Sequence, residues 1–134
     1  AIGMAERALS LMIKRSMTRS AFGKELARQG VIQDWIARAR IDIEQARLLV
    51  LKAAWLIDNQ GAKAARKEIA AIKVAVPRMA EEIIDRAIQV HGGYGYVREY
   101  QVERMLRDAK ITEIYEGTSE IQHIVISREL LKNM

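Results

Sequence analysis

Eight apolar residues, Ile32, Ile36, Ala39, Ile43, Ala46, Val50, Ala53 and Ile57, recur at spacings of 4, 3, 4, 3, 4, 3 and 4. A long amphipathic helix is the structure that puts such a series on one face. Asp34, Arg38, Arg40, Asp42 and Glu44 fall largely off the stripe, and Asp58-Asn59-Gln60-Gly61 supplies turn residues where it stops. A second series, Ala65, Ile69, Ile72, Val76, Met79, Ile83, Ala87 and Val90, has a similar rhythm and contains the one proline, Pro77. An internal proline removes a backbone bond and costs about 3 kcal/mol. The apolar phase continues across it, which predicts a kink and not a break.

Shorter elements surround these two. Ala5, Ala8 and Met12 predict a first helix to about Met17, with Gly23 as its left-handed stop. A short helix is expected near 102–110 and irregular chain over 111–118. A last helix starts about Ser119, where Ser119 and Gln122 have capping-box spacing, and Ile121, Ile124, Val125 and Leu131 supply its buried side. No segment reads as a strand, and no internal repeat appears. The expected fold is all-α, an up-and-down four-helix bundle with a short extra helix, in a single domain over 1–134.

Composition removes several function classes. With no cysteine and two histidines among 134 residues, disulfide scaffolds and thiolate or zinc centres are excluded. The formal charge of +5 tolerates anionic partners, but the charges of both signs are interspersed. Basic residues do not interleave with aromatics, so nothing beyond net charge points to nucleic acid. No apolar run approaches the roughly 20 residues of a membrane span. The start, AIGMAERALS, lacks the charged leader of a signal peptide and is already in helical phase without a cap. Entry of that kind suggests a piece of a longer chain.

Three places carry chemistry-bearing residues, each with a bland reading beside a functional one. The segment Gln89-Val90-His91-Gly92-Gly93-Tyr94-Gly95-Tyr96 reads as a helix end, or as backbone that a ligand or second subunit approaches closely. It is no Rossmann fingerprint, because it ends a helix and follows no strand. Alone, His91 reads as a structural histidine, and His123 as a surface one. Glu116, in Ile114-Tyr115-Glu116-Gly117-Thr118-Ser119, either complements a helix N-terminus or is a general base at a loop tip. Arg19 and Phe22 are a solvated charge and a core anchor, or a cation and a flat surface for an anionic cofactor.

Taken together, Arg19-x-x-Phe22-Gly23-Lys24-x-Leu26, Gln89-Val90-His91-Gly92-Gly93-x-Gly95-Tyr96, Arg98-Glu99-Tyr100, Arg107-Asp108-Ala109-Lys110 and Ile114-Tyr115-Glu116-Gly117-Thr118-Ser119-Glu120-Ile121-Gln122 resemble, in order, the C-terminal helical domain of the acyl-CoA dehydrogenase flavoproteins. The likeness covers essentially the whole chain. It implies a full protein with an N-terminal helical domain and a middle β domain, FAD as cofactor, and a homodimer or homotetramer. The implied reaction is α,β-desaturation of an acyl-CoA thioester, as in the β-oxidation of fatty acids. Electron-transferring flavoprotein is the implied acceptor.

By position, Glu116 matches the family's catalytic base, with Tyr115 and Gly117 beside the substrate. Arg19, Phe22, Gln89, Gly92 and Gly93 match contacts to a neighbouring subunit's FAD. Thr118, Ser119 and Glu120 match contacts to the subunit's own FAD. Gln29 stands nearest to a further cofactor-touching glutamine. The resemblance implies no metal, and a cytoplasmic location in a bacterium or the mitochondrial matrix in a eukaryote. A lone helical piece is expected to be inactive. The competing reading is a non-catalytic helical oligomerisation or interaction module.

Overall fold

The computed structural model of the chain describes residues 1–132. Three long helices dominate, α1 (Ile2–Thr18), α2 (Gly30–Gln60) and α3 (Arg66–His91), and α6 (Ser119–Leu131) is the last of the described helices. Between α3 and α6 lie the single turn α4 (Gly93–Tyr96) and α5 (Gln101–Ile114). α3 is the axial element. It packs against α1, α2, α5 and α6. Its buried residues, among them Ala70, Val76, Ala80, Ile83, Ile84, Ala87 and Val90, fall on more than one face, as a helix surrounded by neighbours requires. Alanines at 70, 80 and 87 keep those neighbours close. The core is completed by Ala5, Ala8, Leu9 and Met12 of α1, Ile32, Ala39 and Ile43 of α2, and Val102, Met105 and Ala109 of α5.

Pro77 is buried inside α3, and the helix runs unbroken through it. The missing N–H leaves the Lys73 carbonyl without its usual donor four residues on. Ile57, the final member of the stripe, is exposed near the end of α2.

Five expectations are corrected. A small antiparallel hairpin, β1 (Ser20–Ala21) and β2 (Lys24–Glu25), follows α1 where no strand was expected. Two residues per strand are too few for periodicity to register. Gly23 does have positive φ, but it shares the hairpin turn with Phe22 and does not end α1, whose C-cap is Arg19. α5 continues through Ile114 instead of stopping near Lys110. The helix-disfavouring residues there cost only tenths of a kcal/mol. Against that, Lys73 Nζ donates to the Thr112 carbonyl and ties this turn to α3.

The cap of α6 is Thr118 and not Ser119: Thr118 Oγ1 accepts from the Ile121 N–H at 3.5 Å. The turn at Gly117 (φ 94°) ends the loop one residue early. Because that bond is long, Thr118→Ala is expected to cost about 0.5–1 kcal/mol, read as a small fall in the urea midpoint. Finally, Ile121, Ile124 and Leu131 are exposed, and α6 has no fully buried residue among those described. With Ile121, Ile124, Val125, Ile126, Leu130 and Leu131 spread around it, α6 cannot bury every apolar side against α3 alone.

Among the described residues one carboxylate is buried. Burial pushes the Glu68 carboxyl up, but its own backbone N–H and the Lys67 and Lys52 ammonium groups outweigh that and hold it below the usual carboxylate range.

Candidate functional site

Six of the sequence-predicted residues line two concavities on opposite halves of α3: Tyr115 and Glu116 the first, Arg19, Gln89, Gly92 and Gly93 the second. Pro77 lines one and Gln89 the other, twelve residues apart on the helix. That is a rise of about 18 Å.

The first is a cleft of about 430 Å³ between α3 and the α5–α6 loop. Ile69, Ile72, Val76 and Pro77 give it an apolar wall, and Tyr115 and Glu116 stand at its rim. Glu116 has φ 53°, a left-handed conformation that non-glycine residues adopt at a cost of order 1–3 kcal/mol. Gly117 follows it, also at positive φ. The Glu116 N–H makes no backbone hydrogen bond. Lys73 Nζ lies 5.6 Å from the centre of the Tyr115 ring, fixing that ring against α3. Gln122 lines the same cleft and its Nε2 donates to the Gly117 carbonyl at 3.4 Å, bracing the loop. Thr118, Ser119 and Glu120 form the start of α6 directly after it. The Glu120 carboxyl is held below its usual range by its own backbone N–H and by the Thr118 hydroxyl.

The second concavity, about 560 Å³, is where the end of α1 meets the end of α3. It brings Arg19 together with Gln89, Gly92 and Gly93, which are 70 or more positions away in sequence. Gly92 (φ 62°, ψ −137°) adopts a backbone conformation open essentially to glycine alone. A Cβ added at Gly92 or Gly93 would meet nothing within 4 Å, so the backbone there is bare towards the groove. His91 is buried, and its Nδ1–H donates to the Ala87 carbonyl at 2.7 Å, a structural role. His123 is exposed. Phe22 is 97% exposed at the hairpin tip, outside the groove, and Gln29 is the N-cap of α2, outside it too.

Two groups in these concavities escaped the sequence reading. Lys73 interrupts the apolar stripe of α3 between Ile72 and Val76, and that interruption was a visible signal. Arg15 lies one helical turn before Arg19, and it became visible only when Tyr94 folded back beneath it.

The family described as acyl-CoA dehydrogenase, C-terminal domain, matches residues 1–131. The chain belongs to that family. Among its curated relatives, the probable acyl-CoA dehydrogenase YngJ of Bacillus subtilis is 47% identical over 132 residues, covering 98% of this chain and 34% of the relative. The caffeyl-CoA reductase-Etf complex subunit CarC of Acetobacterium woodii is 47% identical over 131 residues, covering 98% and 34%. A solved acyl-CoA dehydrogenase family structure, a putative member from Mycobacterium abscessus, superposes with a TM-score of 0.95 at 42% identity, covering 99% of this chain and 33% of that one. A second solved structure, the FAD complex of PigA, gives 0.90 at 28% identity, covering 99% and 34%. The chain thus spans about a third of the length of these relatives. The all-helical bundle expected from the sequence is the acyl-CoA dehydrogenase C-terminal fold.

Proposed function

We propose that this chain is the C-terminal part of an FAD-dependent acyl-CoA dehydrogenase and supplies its catalytic base, Glu116. The observation that carries this reading is a carboxylate at the rim of an apolar cleft, on a left-handed backbone residue whose N–H has no backbone acceptor. Strain of this kind persists where the surrounding structure holds it, and it concentrates at functional sites.

The roles follow from the chemistry of a thioester. Its α-proton is weakly acidic, so removal needs a positioned base and a stabilised enolate. Glu116 takes the α-proton, and the electrons of that C–H bond become the new Cα–Cβ double bond as the β-hydrogen departs with its electron pair. FAD, when bound, supplies the hydride acceptor. The free Glu116 N–H donates to the thioester oxygen, where negative charge develops. Tyr115, braced by Lys73, walls the cleft, and Gly117, where a Cβ would lie 2.5 Å from the Gln122 amide nitrogen, lets Gln122 pack against the turn that carries the base.

The residues present fit the cofactor. Arg19 and Gln89 line one groove with the bare backbone of Gly92 and Gly93, so a cation suited to the diphosphate of a dinucleotide stands beside a surface open to close approach, while the Gly92 N–H itself is taken by the Ile88 and Gln89 carbonyls. Phe22 projects from the hairpin as an apolar surface that none of the described residues covers. These five are assigned to the FAD of a neighbouring subunit, and Thr118, Ser119 and Glu120 to the subunit's own. That assignment makes the protein a homodimer or homotetramer. The exposed series Ile41, Leu48, Leu51 and Trp55 along α2 supports a face that is covered in the whole protein. Electron-transferring flavoprotein is the proposed acceptor, consistent with the Etf complex in which CarC is named.

The full-length protein, mixed anaerobically with butyryl-CoA and longer saturated acyl-CoA thioesters, is expected to lose its yellow flavin absorbance. A flavin that stays oxidised against the whole panel contradicts the reading. Given FAD and the same thioesters, the 134-residue chain alone is expected to show no turnover, because one wall cannot exclude water from the reaction.

A further inference from the structure

The α1–α3 groove holds a cation that the reading above does not use. Arg15 lines it, and its Nε is buried with no hydrogen-bond partner. Leaving a charged donor in that condition is costly. Among the described residues, neither Arg15 nor Arg19 forms an ion pair. The guanidinium is nevertheless held in place: it sits 4.8 Å over the Tyr94 ring. Tyr94 stacks on Tyr100 at 5.0 Å and 18°, and Tyr100 meets the edge of buried His91 at 6.1 Å. A fixed, unpaired guanidinium beside a second arginine and bare glycine backbone is an arrangement waiting for an anion with more than one charge.

We propose that Arg15 is a second anchoring cation for the diphosphate of FAD, acting with Arg19 across the groove floor formed by Gly92 and Gly93. This rests on the assignment of the groove to the cofactor. Arg15 contributes charge and planar donors, and Tyr94 sets their orientation, so the ring below is a positioning residue.

The test uses the full-length protein with Arg15→Met, Arg15→Lys and Arg19→Met, and reads FAD dissociation by fluorescence with thermal unfolding of the apo-protein alongside. Arg15→Met is expected to weaken FAD binding roughly 10- to 100-fold with the apo-protein unfolding midpoint unchanged, and to flatten the salt dependence of FAD release. Arg15→Lys is expected to recover part of the affinity. If Arg19→Met weakens FAD and Arg15→Met does not, the role of Arg15 is overturned while the groove assignment stands. If neither change affects FAD, the groove assignment itself falls. An Arg15→Met protein that keeps its FAD affinity but binds acyl-CoA more weakly would place the substrate's diphosphate there and overturn the cofactor role. A lower apo-protein midpoint with equal FAD loss in the lysine and methionine variants marks a packing role and overturns it as well.

Discussion

In the full-length protein, Glu116→Gln is expected to lower the rate of flavin reduction by acyl-CoA by about 10²–10⁴-fold, the range a positioned general base contributes. Glutamine is nearly isosteric, keeps the same backbone N–H and adds no bulk at the cleft rim. The protein should therefore stay yellow, fold normally and still bind the thioester. The expected pattern is a fall in kcat with little change in KM, the mark of a group whose interaction develops in the transition state. Stopped-flow absorbance at the flavin band measures it. A variant that reduces its flavin at the native rate removes Glu116 from the chemistry.

Gly95→Ala carries the largest expected effect on stability. A Cβ at this position would lie 2.5 Å from the Ile88 carbonyl oxygen, 3.0 Å from Ile88 Cα and 3.1 Å from His91 Cβ. The first two are backbone atoms of α3, which cannot swing aside as a side chain end can. Either α4 lifts off α3 or the last turn of α3 distorts. The cost is about 2–3 kcal/mol, which lowers the unfolding midpoint of a chain this size by roughly 10 °C. Because α4 follows directly from Gly92, the same change displaces Tyr94 and the groove wall it forms. Differential scanning calorimetry of the chain checks the first effect, and a midpoint unchanged within 2 °C, on the order of 0.5 kcal/mol, contradicts it.

Much of this architecture was readable from residue order, and the reason is length. The stripes of α2 and α3 extend over seven or more turns, so the helical period dominates any local preference. Where an element is short, that averaging is lost. The Phe22–Gly23 hairpin depends on two residues at positive φ, one of them an aromatic that propensity would never place there. The end of α5 depends on a tertiary bond from Lys73, 39 positions away. The outward face of α6 misled for a different reason. Apolar residues signal burial, but they do not say against what, and among the described residues Ile121 and Ile124 stay about half exposed.

The site was legible as residue types in a family-like order, and less so as geometry. Arg19, Gln89, Gly92 and Gly93 do converge on one groove, and Glu116 does stand on a cleft. Arg15 had no marker in the sequence beyond its spacing from Arg19. Its significance comes from an unsatisfied Nε and an aromatic neighbour brought in by the turn after α3.

The fate of the α-proton tests the central claim most directly. When the reduced full-length enzyme is held in D₂O with a saturated acyl-CoA, so that net oxidation is blocked, the native protein should exchange the α-hydrogen of the thioester for deuterium. The Glu116→Gln protein, binding the same thioester with similar affinity, should leave it as hydrogen. Exchange at equal rates in both proteins would mean that another group takes the proton, and the assignment of the base to this helical domain would be wrong.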